Sequence, residues 1–153
     1  MISIPLSTRP YTFRIYGNPI AKARPRFFRR GKFTGTYDSQ KTEAGKWMLQ
    51  LQKQAGQQMN APLTGPLMAD FQFYFSRPKN HYGTGRNAGK LKDSAPKYCT
   101  NAKDFDNLAK FAADCMNSIV YKDDRQIVDA AIHKRYVDSF NDQPLTIIFL
   151  WEL

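Results

Sequence analysis

The chain has 153 residues, 42% of them hydrophobic and 14% aromatic, and its 23 Lys and Arg outweigh 13 Asp and Glu for a formal net charge of +10. That apolar content can fill a core, which excludes wholesale disorder. No apolar run approaches the roughly 18 residues of a membrane span, and the cationic excess suits a polyanionic partner. Met1 to Pro10 lacks the apolar stretch of a secretory signal. Cys99 and Cys115 have neither metal-ligand spacing nor a disulfide framework. A soluble protein of the cytoplasm, in a reducing compartment and with no membrane partner, is therefore expected.

Tyr11 to Tyr16 is β-prone and stops at Gly17 and Pro19, which predicts a strand. Ala21 to Thr36 is Arg-rich and interrupted by Pro25, Gly31 and Gly35; it reads as a loop or a distorted hairpin. Asp38 or Ser39 can cap a following helix, in which Ala44, Trp47, Met48, Leu51 and Ala55 form an apolar stripe ending near Met59. Leu67 to Phe75 alternates cleanly and predicts a half-buried strand. Ser76 to Ala102 is a long polar stretch with three glycines, of a length that in compact domains is usually functional or mobile. Leu108, Phe111, Ala112, Cys115 and Ile119 mark a second helix, and Gln126 to Val137 and Leu145 to Leu153 read as two closing strands. The order β-α-β-α-β-β predicts a single α+β (mixed α/β) domain over 1–153, with a mixed four-stranded sheet, two main helices and long basic loops at about 21–36 and 76–103.

The charge is unevenly spread. Arg9 to Tyr37 holds eight Lys or Arg and no acid, and Arg77 to Lys103 holds seven against Asp93 alone. Six of the thirteen acids lie between Asp104 and Asp129. Carboxylates gathered into one short segment of a basic chain suggest a cation site within a polyanion-binding surface. Lys22, Arg24, Arg26, Arg29, Arg30, Lys32, Arg77 and Lys79 lie in Gly- and Pro-punctuated loops suited to contacting the phosphates of a polyanion without reading bases. Phe27, Phe28 and Phe33 are unusual in so cationic a loop. They can pack across subunits, wedge into nucleic acid or be buried in the subunit's own core.

Asp104 and Asp106 stand two apart just before the second helix; in an extended segment both would face one ion. Asp106 can instead cap that helix. Lys110 lies one turn further on, with a side chain long enough to reach back. A helix from Asn107 to Ser118 advances about 18 Å, and Ile119 to Asp124 would span roughly 20 Å if extended, so the chain can bring Asp124 back to Asp104 and Asp106. Three carboxylates without His or Cys suit a hard cation, Mg²⁺ with Mn²⁺ as a substitute. The plainer alternative makes Asp106 a cap and Asp123 and Asp124 a turn before Arg125. His81 and His133 suggest no Ser/His or Cys/His pair, so covalent nucleophilic catalysis is not expected.

Asp104-Phe105-Asp106-Asn107-Leu108-Ala109-Lys110, followed by Asp123-Asp124-Arg125-Gln126-Ile127-Val128, resembles the D-x-D-N-L-x-K and D-D-x-Q-[IV]-V motifs of the RusA-type Holliday junction resolvases, often encoded by prophages. Lys22-Ala23-Arg24-Pro25-Arg26 is similar to the K-x-R-P-R loop of many members. The resemblance covers most of the chain from Tyr11 onward. It implies a homodimeric, Mg²⁺-dependent endodeoxyribonuclease that cuts four-way junction DNA in recombination and repair. It also implies Asp104, Asp106 and Asp124 as metal ligands and Lys110 as the catalytic lysine near the scissile phosphate. The Arg77 to Lys103 stretch is longer than in compact members, and the basic Arg24–Lys32 cluster stands where they have an Asn-rich loop. Two other readings share part of this pattern. A non-catalytic nucleic-acid-binding protein would need the charge but not the aspartates, and a nuclease of flaps, forks or RNA would share the chemistry but not the substrate.

Overall fold

A computed structural model describes residues 9–153; Met1 to Ser7 and Thr8, and most of the segment read above for a secretory signal, lie outside the described residues. Strands β1 (Tyr11–Tyr16), β4 (Leu67–Phe75), β5 (Ile127–Tyr136) and β6 (Leu145–Glu152) form one mixed sheet, in the order β1-β6-β4-β5. Strands β2 (Arg26–Arg30) and β3 (Phe33–Tyr37) form a separate antiparallel ribbon, and helices α1 (Lys41–Gln58) and α2 (Phe105–Met116) complete the chain.

The alternation of β4 is the clearest link from sequence to packing. Leu67, Ala69, Phe71 and Phe73 are buried, while Met68, Asp70, Gln72 and Tyr74 point to the other face. The register carries this pattern across the sheet: Phe71 stands beside Ile148, which stands beside Phe13. Both helices bury their stripes on this one face, Trp47, Leu51 and Ala55 from α1 with Leu108, Phe111, Ala112 and Cys115 from α2. Trp47 meets Phe111 edge-on, with ring centroids 5.3 Å apart. Each such large side chain, fully buried, contributes about 1.5–3 kcal/mol. Strands β4 and β5 pair in parallel because the connection carrying α2 is long enough to cross back over the sheet.

Of the two readings of the 21–36 segment, the hairpin holds for Arg26 to Tyr37, its two-residue loop opening on Gly31 at φ +59°, where a side chain would be unfavourable. Other expectations change in detail. The N-cap of α1 is Gln40 rather than Asp38 or Ser39, although Asp38 accepts the Gln40 backbone N–H at 2.8 Å. Met48 is exposed because the line that faces the core is the narrower one of Ala44, Trp47, Leu51 and Ala55. Helix α2 ends at Met116, so Ile119 packs on the core from the following turn. The polar stretch after β4 is folded rather than open: it holds two short 3₁₀ turns, and His81, Tyr82 and Cys99 are buried. His81 meets the Tyr136 ring edge-on at 5.5 Å, and the Arg77 guanidinium lies 4.3 Å above that ring. Among the described residues no helix is long and apolar enough to cross a membrane.

Candidate active site

Helix α2 begins two residues earlier than the cap reading of Asp106 requires. Asp104 is the N-cap residue, its backbone extended (φ −62°, ψ 137°) and its carbonyl accepting from the Leu108 N–H at 3.1 Å. Its carboxylate makes no capping bond. Asp106 lies in the first helical turn, so the two carboxylates flank a helix start instead of sharing one side of an extended strand. Negative side chains there are favoured by the helix dipole. Lys110, four residues after Asp106, falls on the same helix face and is exposed.

The second acidic segment assigns different work to its two aspartates. Asp123 caps a 3₁₀ turn, accepting from the Arg125 backbone N–H at 2.9 Å and from the Arg125 guanidinium at 3.0 and 3.1 Å. The Arg125 bonds hold its carboxyl below the usual carboxylate range. Gln126 closes the box by accepting the Asp123 N–H, and fixes the turn by donating to the Leu63 and Gly65 carbonyls. The Asp124 carboxyl takes no bond from Arg125 or Gln126, although it lies against the Asp123 carboxyl. The carboxyl of Asp124 is raised, first by burial and then by the charges of Asp123 and Asp114. Among the described residues none of Asp104, Asp106 and Asp124 pairs with a Lys, Arg or His side chain.

The 117–123 stretch is coiled rather than extended. The Val120 N–H returns to Met116, the Ser118 N–H to Tyr121, and Leu63 and Tyr121 form an isolated bridge. Asp124 accordingly has Asp114, in the last part of α2, among its charged neighbours. Among the described residues, no three His, Cys, Asp or Glu side chains are gathered closely enough to form a ready-made metal cage. The donors nonetheless fit a hard cation in kind. Mg²⁺ keeps several waters and is commonly held by one or two carboxylates together with substrate phosphates, without an all-protein cage.

Asp114 is a residue that the motif reading passed over. It pairs with Lys22 at 3.2 Å, each side chain about one-third exposed (34% and 33%). Asp106, Lys110 and Asp114 follow one another at four-residue spacing, and that helical period was visible in the sequence. The Lys22 backbone N–H also donates to the Asn107 carbonyl at 2.8 Å, and Gln40 clamps the same strap through Ala21 and Ala23 at 2.7 and 2.9 Å. The strap and the start of α1 thus face Asp104 and Asn107 across a cleft of about 630 Å³.

The cations divide into two groups. Arg24, Arg26, Arg29, Arg30 and Lys32 are exposed on and beside the β2–β3 hairpin, and Lys79 is exposed after β4. Lys22 is tied to Asp114, and Arg77 donates to the Pro96 carbonyl at 2.6 Å while stacking on Tyr136, so its guanidinium holds the long loop to β5. Thiol chemistry is disfavoured: both cysteines are buried and unbonded to each other, and burial pushes the Cys115 thiol up to about 11.

Comparison with known proteins agrees with this picture. Residues 16–147 match the sequence profile of the family described as endodeoxyribonuclease RusA. A protein of Bacillus subtilis (strain 168) named "Uncharacterized protein YqaN" is 32% identical over 130 residues, spanning 83% of this chain and 88% of that one.

Proposed function

Since the chain belongs to the endodeoxyribonuclease RusA family, we propose that it is a Mg²⁺-dependent nuclease that resolves four-way DNA junctions by symmetric phosphodiester hydrolysis, in DNA recombination and repair. The observation that carries the reading is that, among the described residues, the carboxylates of Asp104, Asp106 and Asp124 make no capping bond and no ion pair with a cation. Asp104 occupies the cap position without making the cap bond, and Asp123 takes over the turn that would otherwise explain Asp124. A protein that only bound nucleic acid would gain nothing from unpaired carboxylates, which repel phosphate.

In this account Asp104, Asp106 and Asp124 hold the cation, Mn²⁺ being able to replace Mg²⁺. A cation held there would supply a water of lowered pKa and charge stabilisation for the leaving oxygen. Lys110, on the Asp106 face of α2, places its ammonium beside the phosphate and offsets the charge that grows there in the transition state. Asp114 restrains Lys22 and so positions the strap along α2. The exposed arginines and lysines of the hairpin, with Lys79, bind backbone phosphates around the site. Hydrolysis of a synthetic junction with and without Mg²⁺ tests the reading.

A homodimer is part of the same proposal, because resolving a junction takes two cuts related by symmetry. Its support is the sheet face opposite the core. Leu145, Ile147, Phe149 and Trp151 of β6 alternate onto it beside Met68 of β4, whereas both helices lie on the other side. At micromolar concentration, light scattering is expected to give twice the 17.6 kDa chain mass. Ile147→Asp should raise the dimer dissociation constant by about a hundredfold or more, since it would bury an unpaired charge. A monomeric mass for the wild-type chain would contradict the dimer.

A further inference from the structure

The β2–β3 hairpin displays aromatic surface that the catalytic account does not use. Phe27 is 78% exposed, although phenylalanine is ordinarily a core residue. Residues directly opposed in an antiparallel pair share a face, so the register separates the aromatics into two sets. Phe28, Phe33 and Tyr37 lie on one face, where Phe28 packs against the other two at centroid distances of 6.1 and 6.3 Å. Gly35 makes room for this packing: a Cβ there would stand 2.7 Å from the Phe28 ring. An isolated two-stranded hairpin is marginal in water, and this cluster supplies the apolar contact that holds it. Phe27 is on the opposite face, across from Thr36 and beside Arg29, and has no share in that cluster.

The hairpin is also fixed in place relative to the acidic helix start. Its incoming leg donates from the Lys22 N–H to Asn107, its two legs are joined through Gln40, and both legs line the cleft that contains Asp104. A ring carried at this point, on a segment without an acid from Arg9 to Tyr37, suits a planar partner surrounded by negative charge. A second copy of the same cationic hairpin would be repelled. Nucleic-acid bases have the required π-face, and at a branch point the arms leave base pairs with one face that can be opened.

We propose that Phe27 is a wedge that stacks on a base pair at the branch point, while Arg29, on the same face of the hairpin, holds a flanking phosphate. This rests on the junction-nuclease reading above. Aromatic wedges that unstack a step, and base stacking worth a measurable fraction of single-strand affinity, are established modes of recognition.

The test uses a four-way junction carrying 2-aminopurine next to the branch point, with a second junction labelled within an arm, titrated without divalent cation so that the DNA stays intact. Wild-type protein should brighten the branch-point probe severalfold and leave the arm probe unchanged. Phe27→Ala should abolish the brightening and lower junction affinity by about tenfold, with duplex affinity within about twofold of wild type. Phe27→Trp should retain both properties. Since Phe27 is exposed, neither change should disturb folding, and an unchanged circular dichroism spectrum checks this. Undiminished brightening by Phe27→Ala would overturn the wedge, as would a loss of dimer mass with junction affinity intact, which would make Phe27 a subunit contact. Junction cleavage in Mg²⁺ by the wild-type protein is scored separately: if it fails, the nuclease reading falls and the wedge with it, whereas cleavage with an undiminished Phe27→Ala signal removes the wedge alone.

Discussion

Asp104→Asn and Asp106→Asn are each expected to reduce junction cleavage by about a thousandfold or more while junction binding persists or tightens. The size follows from the chemistry assigned to the cation, which stabilises transition-state charge by several kcal/mol, each 1.4 kcal/mol being about tenfold in rate. The direction of the binding change follows from removing a negative charge that faces phosphate. The substitutions should leave the fold intact, because Asp104 makes no side-chain cap bond and both residues are exposed. Single-turnover cleavage together with an electrophoretic binding titration separates the two effects. Cleavage near the wild-type rate by either variant would remove that residue from the site.

Lys110→Ala should lower the single-turnover rate by about a hundredfold to a thousandfold, the usual cost of removing one preorganised donor from developing charge. Its effect on affinity should be small, because one phosphate contact is lost among many supplied by the hairpin cations. A large loss of affinity at an unchanged rate would make Lys110 a backbone-binding residue instead. Lys110→Arg separates charge from shape: it keeps the charge on the Asp106 face but spreads it over a planar fork, so partial recovery of rate is expected.

The elements legible in the sequence are those whose burial sets a period. Leu67 to Phe75 alternates without a break because one face of β4 meets both helices, and its bounds are those read from the sequence. The hairpin was ambiguous for the converse reason: none of its residues is fully buried, so no alternating core pattern marks its strands. The cap reading of Asp106 fails because Asp104 is an equally good cap former two residues earlier; the helix starts at Phe105, which leaves Asp106 inside it. His81 read as a loop residue because its partner, Tyr136, is distant in the chain. The same limit applies to the site. The motif spacing brings out Asp104, Asp106, Lys110 and Asp124, but which member of the Asp123–Asp124 pair caps the turn depends on Arg125 and on Gln126 reaching Leu63 and Gly65. Asp114 had a signal, its place eight residues after Asp106, but its ion pair with Lys22 joins segments far apart in sequence.

The central claim is tested most directly by incubating the purified chain with a synthetic four-way junction, a matched duplex and a flap, each with Mg²⁺ and with EDTA. The account predicts paired, symmetric cuts in the junction in Mg²⁺, none in EDTA, and little cutting of the duplex or the flap. Junction binding without cleavage in Mg²⁺ or Mn²⁺ would contradict it, as would cleavage unaffected by EDTA or a preference for the flap.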